Sequence, residues 1–274
     1  MTSPLAFGAR ARLIAKASRA DARMEATRAD RAESAGAPVA TARQSALLTA
    51  VKAMGLAATA GLSAALAVRL VGSIHSVSGV AAVVAGSLAG YLLADLSSGT
   101  VHWFCDTFFS ETTPIVGRRL IQPFREHHVN PQEITTCSML EQDASSYMSL
   151  IPVLWLVRSW APVGSAALLA QAALLGLAIG TMGTNVFHKW AHTSDPPAAV
   201  RWLQRRRWIL SPEAHAVHHR SYDGGYCVTS GWMNAVLDRV RFFPRLELVV
   251  RSFLPRPRGD VGAGGATASN RGQP

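Results

Sequence analysis

Residues 75–94 read HSVSGVAAVVAGSLAGYLLA, and this stretch decides the fold. It contains no Asp, Glu, Lys or Arg. As a helix that rises about 1.5 Å per residue, it covers the apolar core of a bilayer, which is about 30 Å thick. The stretch therefore predicts a membrane-spanning helix, which we place at residues 74–96.

Three further apolar stretches predict additional spans, at residues 46–70, 147–157 and 163–187. Trp155 and Trp160 flank the turn of the hairpin that the last two stretches form, as interfacial anchors do. The composition agrees, because 49% hydrophobic and 16% charged residues are unusual for a soluble protein. The sequence predicts an all-α integral membrane protein with about four transmembrane helices. Buried helices of a soluble core remain an alternative, mainly for the short stretch at 147–157.

The basic residues predict the orientation of these helices. Four spans place residues 1–45, residues 97–146 and the carboxyl terminus on one side of the membrane. Of the 27 Lys and Arg, eight lie in residues 1–45, three between Arg118 and Arg125, and thirteen from Lys189 onward. By the positive-inside rule this side is cytoplasmic. We expect a multi-pass protein, and a bacterial inner membrane is its expected location. The basic residues form no nucleic-acid motif, so membrane lipids rather than nucleic acid are the expected partner.

The chain divides into three predicted regions. Residues 1–45 are rich in Ala and Arg and are expected to form a disordered or loosely helical cytoplasmic tail. Residues 46–254 form the membrane domain, and residues 255–274 have the Pro and Gly content of a disordered tail. Within the membrane domain, residues 200–210 mix Trp with Arg and predict a helix that lies in the membrane interface.

Eight of the nine histidines fall into four short clusters on the predicted cytoplasmic side. The clusters are His102 with Asp106, His127 with His128, His188 with His192, and His215 with His218 and His219. Residues three or four apart share a helix face, so the members of three clusters converge. Adjacent residues are about 100° apart on a helix, so His127 and His128 can serve different metals. Ser211 and Pro212 predict the start of the helix that carries the last cluster.

This histidine pattern predicts two metals. Imidazole is a nitrogen ligand for iron, zinc or copper, and eight ligands are too many for one tetrahedral site. Asp106 is either a direct ligand or an acceptor that orients a histidine N–H, and spacing does not separate these roles. Four polar residues near the clusters are candidates for orienting the ligands: Asp95, Glu126, Asn185 and Asn234. Eight histidines beside lipid favour redox iron over a three-ligand zinc hydrolase site.

Four segments together resemble the Kua or plasmanylethanolamine desaturase family, which includes CarF-like bacterial members. The similarity covers about residues 91–244. The segments are ADLSSGTVHWFCDTF (residues 94–108), PFREHHVNPQEIT (123–135), TNVFHKWAHT (184–193) and ILSPEAHAVHHRSYDGGYCVTSGWMN (209–234).

The resemblance implies a membrane di-iron enzyme that converts the 1-O-alkyl chain of an ether phospholipid into a 1-O-alk-1'-enyl chain, which makes a plasmalogen. The enzyme would use O2 and electrons from an external reductase chain, delivered by a cytochrome b5, ferredoxin or flavodoxin type of protein. The eight clustered histidines match the family's metal ligands. Asp106 matches its acidic residue and is the predicted catalytic carboxylate.

Two other functions remain open from the sequence. An acyl-lipid desaturase or hydroxylase would share the histidine pattern, although Arg125 and Glu126 before the histidine pair, and Asn130 and Pro131 after it, look more like the ether-lipid branch. A non-catalytic, metal-dependent membrane adaptor or sensor would use the histidines only to hold the cytoplasmic region together.

Overall fold

The computed structural model describes residues 40–159 and 164–253, and in these ranges every regular element is a helix. The helices are α1 (Ala40–Gly72), α2 (Val77–Thr107), a π-helical turn (Gly117–Ile121) that continues into α3 (Gln122–Val129), α4 (Glu133–Thr136), α5 (Met139–Ser159), α6 (Ser165–His192), α7 (Ala198–Arg205), α8 (Pro212–Ser221), α9 (Trp232–Arg239) and α10 (Phe242–Phe253). The predicted all-α class is confirmed. Most of the predicted amino-terminal tail, Trp160 and the whole carboxyl-terminal tail lie outside the described residues.

Three helices are long and apolar enough to cross a membrane: Ala46–Gly72 of α1, all of α2 and all of α6. In the most apolar part of each helix, at most 33% of the residues are buried inside the protein. Large apolar side chains such as Val68, Val77 and Val84 are exposed. Such a surface is stable against lipid rather than water, so the prediction of a membrane protein is confirmed.

Helix α5 differs from the span predicted at residues 147–157. The helix begins at Met139, and its apolar part is Ser146–Arg158. That part is only about 20 Å long, whereas the whole helix of 21 residues is about 32 Å long. The apolar pattern missed the first turns because they carry polar residues. A fourth membrane crossing through α5 stays a prediction.

The long helices alternate in direction along the chain. The hydroxyl of Tyr147 donates to the carbonyl of Lys52 at 3.0 Å, and Arg69 donates to the carbonyl of Arg158 at 3.0 Å. Helices α1 and α5 are therefore parallel and lie side by side. Helix α2 runs antiparallel to α1 after the short turn that follows Gly72, and α6 runs parallel to α2. Consequently α2 and α6 end at the same end of the bundle.

Helices α2 and α6 are in backbone contact. A Cβ added to Gly90 would lie 1.8 Å from the carbonyl oxygen of Ala173, and one added to Gly176 would lie 2.2 Å from that of Ser87. Small residues permit this approach, which drives helix association in membranes where burial of apolar surface contributes little. The contact fixes the register of α2 against α6, and thereby the relative height of the side chains near their ends.

We expect Gly90→Val to destabilise the bundle by about 3 kcal/mol, because the added side chain has to displace the backbone of α6. The matched control is Gly61→Val in α1, where a Cβ meets nothing within 4 Å. The measurement is the free energy of unfolding in mixed micelles, followed by helix content as denaturing detergent is added. Equal stability of the two variants would contradict the packing.

The shorter helices form a cap over the end of the bundle where α2 and α6 finish. One buried cluster joins the last turns of α2 to α9, α10 and the segment before α9, and contains Trp103, Phe108, Tyr226, Cys227, Leu237 and Phe243. Helix α7 ends at Arg205, so it is shorter than the interfacial helix predicted at residues 200–210. Trp202 and Trp208 are nevertheless exposed side by side, with ring centroids 5.4 Å apart, as interfacial residues would be.

Candidate metal centre

The eight clustered histidines and Asp106 meet where the cap covers the ends of α2 and α6. They form two groups, and the potential ligand atoms of each group lie within 4.8 Å of one another. The five-histidine group contains His127, His188, His192, His215 and His219, and the mixed group contains His102, Asp106, His128 and His218. Neighbouring histidines join the two groups, since the rings of His128 and His219 are 5.3 Å apart.

The five-histidine group is centred on His215. Its Nε2 atom lies 2.8 Å from Nε2 of His188 and 2.9 Å from Nε2 of His219. The Nε2 atoms of His219 and His127 are 3.2 Å apart. Two nitrogens bound to one metal at about 2.0–2.1 Å are about 3 Å apart when their bonds are at right angles. The observed spacing therefore fits nitrogens that share a metal.

The mixed group is centred on the carboxylate of Asp106. Its Oδ2 atom lies 2.9 Å from Nε2 of His128, 3.4 Å from Nε2 of His102 and 3.6 Å from Nε2 of His218. The Nε2 atoms of His128 and His218 are 3.4 Å apart. Asp106 thus faces three imidazole nitrogens at once, which is compatible both with direct ligation and with an orienting role.

Four helices supply these side chains, and two of them contribute to both groups. The adjacent His127 and His128 point into different groups, as their angular separation on α3 allows. On α8, His215 and His219 join the five-histidine group whereas His218 joins the mixed group. The predicted start of this helix is confirmed, because Ser211 caps it and accepts a hydrogen bond from the backbone N–H of Ala214.

The orientation of the imidazoles fits a bound cation. His102 and His218 are hydrogen-bonded through Nδ1 to the carbonyls of Tyr226 and Gly224, so in each neutral ring Nδ1 carries the proton and Nε2 carries a lone pair. Among the described residues, Nε2 of His102 is buried without a hydrogen-bond partner, and it faces Oδ2 of Asp106 at 3.4 Å. Buried acceptors that face one another without donors are unfavourable unless a cation lies between them.

The protonation state of the cap histidines also suits metal binding. Burial, followed by the neighbouring imidazoles, lowers the pKa of His127 to about 2 and that of His219 to about 3. The same causes hold the pKa of His215 well below its usual value, and burial lowers that of His218. These rings are neutral at physiological pH, which is the form that binds a metal.

Asp95 is fully buried on α2, seven residues before His102 of the mixed group, and does not bond a histidine directly. Its Oδ1 accepts the backbone N–H groups of Thr229, Ser230 and Gly231 at 2.8–3.1 Å, and its Oδ2 accepts that of Met233 at 3.0 Å. The carboxylate therefore anchors residues 224–231, which we call the carbonyl loop because its carbonyls hold His102 and His218.

The three other candidate orienting residues are placed differently. Asn234 exchanges two hydrogen bonds with the backbone of Cys227 and so braces the carbonyl loop. Glu126 accepts a hydrogen bond from Gln122, one turn earlier on α3. Asn185 is half-buried on α6, three residues before His188.

Sequence reasoning missed the main-chain acceptors of this site, the carbonyls of Gly224 and Tyr226. Backbone groups carry no residue signature, so no ligand motif reveals them. The available signal is the pair Gly224 and Gly225, which begins five residues after His219, since paired glycines indicate a tight turn.

The fold and the site define a class: integral membrane helical bundles that end in a histidine-rich candidate metal site. Residues 91–260 match the family model of the lipid desaturase domain, and the chain belongs to this family. It is accordingly a desaturase, an oxidoreductase of lipid metabolism. The hypothesis of a non-catalytic adaptor or sensor is not supported.

Known relatives include two plasmanylethanolamine desaturases. That of Myxococcus xanthus is 40% identical over 80% of this chain and 79% of its own length, and plasmanylethanolamine desaturase 1 of Mus musculus is 36% identical over 65% and 69%. Chloroplastic fatty acid desaturase 4 of Arabidopsis thaliana is 35% identical over 59% of this chain and 49% of its own length. No solved structure matches the chain. The resemblance stated from the four histidine segments is confirmed.

Proposed function

We propose that this protein introduces the vinyl ether bond of plasmalogens, by desaturating the 1-O-alkyl chain of an ether phospholipid such as plasmanylethanolamine. The observation that carries the proposal is the similarity to the Myxococcus enzyme, which extends over about four fifths of both chains and includes the whole candidate metal centre. Overall, one O2, two electrons and two protons are consumed, two waters are formed, and the alkyl chain loses two hydrogens.

Two irons are the proposed cofactors. The five-histidine group would hold one iron, and the mixed group with Asp106 would hold the other. When bound, such a pair of irons supplies the ability to activate O2 and take hydrogen from an unactivated C–H bond. The residues of the chain must keep the imidazole rings neutral, orient them correctly and shield them from water.

The height of the centre in the bundle suits a bond close to the lipid headgroup. His102 is 25 residues beyond the start of α2, or about 38 Å along the helix axis, and His188 is about 35 Å beyond the start of α6. Both distances slightly exceed the bilayer core of about 30 Å. The ether oxygen and the carbons next to it lie at this level in a phospholipid, whereas the middle of an alkyl chain does not.

The position of the basic residues supports a cytoplasmic location for the centre. The cap exposes basic side chains that include Arg118, Arg119, Arg205 and Arg206. By the positive-inside rule we place the cap and both termini in the cytoplasm, at a bacterial inner membrane. A cytochrome b5, ferredoxin or flavodoxin type of electron donor would approach this face, and complementary charge would speed its encounter.

An acyl-lipid desaturase or hydroxylase is the second candidate function. The specific observation in its favour is the 35% identity to the Arabidopsis fatty acid desaturase over 59% of this chain. In this case the substrate carbons would belong to an ester-linked chain.

The two functions are separated by the lipid product. We expect cells that express the protein and receive an alkyl-ether phospholipid to accumulate acid-labile vinyl ethers, detected by lipid mass spectrometry before and after acid treatment. Cells that express His215→Ala are the control for endogenous activity. New double bonds or hydroxyls in acyl chains, without vinyl ethers, would instead support the second function.

A further inference from the structure

One peptide unit of the carbonyl loop contacts both a metal-binding candidate and a carboxylate. The carbonyl of Gly224 accepts the hydrogen bond of His218 Nδ1 at 2.8 Å. The N–H of the same peptide unit, that of Gly225, donates to Oδ2 and Oδ1 of Asp238 at 3.1 and 3.3 Å. Because the peptide bond is planar and conjugated, the two hydrogen bonds act on opposite ends of one polarisable group.

The two glycines of the loop lie close to both partners. A Cβ at Gly224 would lie 2.7 Å from Oδ1 of Asp238, and one at Gly225 would lie 3.1 Å from Cβ of His218. Gly225 also has a φ of +70°, a conformation that favours glycine. The two glycines thus allow the peptide unit to lie directly between α9, which carries Asp238, and α8, which carries His218.

The charge of the Asp238 carboxylate is not neutralised by an ion pair in the described part of the chain. Among the described residues Asp238 forms no ion pair with Lys, Arg or His, although the residue is exposed. Its neighbour in the loop region, Asp223, is exposed and makes no hydrogen bond to the loop amides in the described structure.

We propose that Asp238 is a positioning residue that acts on the metal through a relay of carboxylate, peptide and imidazole. The carboxylate polarises the peptide unit, so that the Gly224 carbonyl becomes a stronger acceptor for His218 Nδ1–H. This locks the ring orientation and makes Nε2 a better metal ligand, as a carboxylate bound directly to a metal-binding histidine does. The inference rests on the proposed metal centre and concerns the mixed group alone.

A purely structural role makes a different prediction. If Asp238 only fastened the loop, then Asp238→Asn would behave like the wild type, because the asparagine Oδ1 still accepts the Gly225 N–H. If the charge is relayed, the neutral amide weakens metal binding while it keeps the loop in place. The two variants Asp238→Ala and Asp238→Asn therefore separate anchoring from polarisation.

The test is a titration of Co²⁺ into the metal-free protein in detergent micelles, followed by visible absorption and by competition with a chelator. We expect two classes of site in the wild type. In Asp238→Ala one class should weaken by about 10–100-fold, the range typical for loss of a group that orients a ligand, and the other class should be unchanged. Asp238→Asn should weaken the same class by a smaller factor, and Asp223→Ala and Asp223→Asn should match the wild type.

Several outcomes would overturn the relay. In Asp238→Ala, these are equal weakening of both classes of Co²⁺ site, or no weakening of either class. In the other variants, they are wild-type Co²⁺ affinity in Asp238→Asn, or weakening in the Asp223 variants equal to that in the Asp238 variants. If Asp238→Ala does not fold, the comparison of Asp238→Asn with Asp223→Asn decides the matter. Absence of Co²⁺ binding to the wild type would contradict the metal centre itself. Because the readout is metal affinity, an error in the proposed lipid substrate leaves this test intact.

Discussion

Replacement of His215 by alanine is expected to reduce lipid desaturation by at least about a thousandfold, as removal of one member of a catalytic unit does in other enzymes. The reason is its central place in the five-histidine group, where its Nε2 lies within 3 Å of those of His188 and His219. The protein should still insert into the membrane, since α1, α2 and α6 do not depend on this side chain. The measurement is the desaturation rate per membrane-inserted chain.

The matched control is the ninth histidine. His75 is exposed before the first turn of α2, at the opposite end of the bundle from the metal centre. His75→Ala should therefore keep the wild-type rate. The assignment of the centre would be refuted by substantial activity in His215→Ala, or by the same loss in both variants.

The second large effect is expected for Asp95→Ala. The substitution leaves four backbone N–H groups of residues 229–233 without their acceptor; two of these are buried and two are partly buried, and each unsatisfied buried donor costs about 1–3 kcal/mol. The carbonyl loop should detach, and the Tyr226 carbonyl would no longer hold His102. We expect a loss of several kcal/mol in unfolding free energy and loss of the metal of the mixed group.

The control for this variant is Asp195→Ala. Asp195 is 90% exposed and, within the part of the chain that the structure describes, pairs with Arg201 alone, so its removal should change stability by less than about 1 kcal/mol. Unfolding free energy in micelles and metal content per chain are the two measurements. If Asp95→Ala were as stable as Asp195→Ala and kept its full metal content, the anchoring role would be wrong.

The sequence predicts the helices and the histidine clusters well because both are local signals. A long stretch without charged residues indicates α2. A spacing of four residues indicates that His102 and Asp106 share one helix face and that His188 and His192 share another. The beginning of α5 at Met139 escaped prediction, since the hydropathy pattern detects the lipid-facing part of a helix and not its polar first turns.

The support around the histidines was less predictable, because it depends on contacts between distant parts of the chain. Asp95 lies on a helix face similar to that of His102, yet its partners are backbone amides about 135 positions later. Asp238 belongs to no motif, and it enters the site only because the glycine pair brings a peptide unit against it. Sequence spacing indicates which side chains converge, but not which main-chain groups orient them.

The most direct test of the account is the metal content of the purified protein together with its dependence on iron. We expect about two irons per chain, and desaturation in a reconstituted system with O2 and an electron donor that rises in proportion to bound iron. Loss of both irons in a variant that lacks His215 and Asp106 should accompany loss of activity. Stoichiometric zinc in an active preparation, or full activity without iron, would contradict a di-iron lipid desaturase.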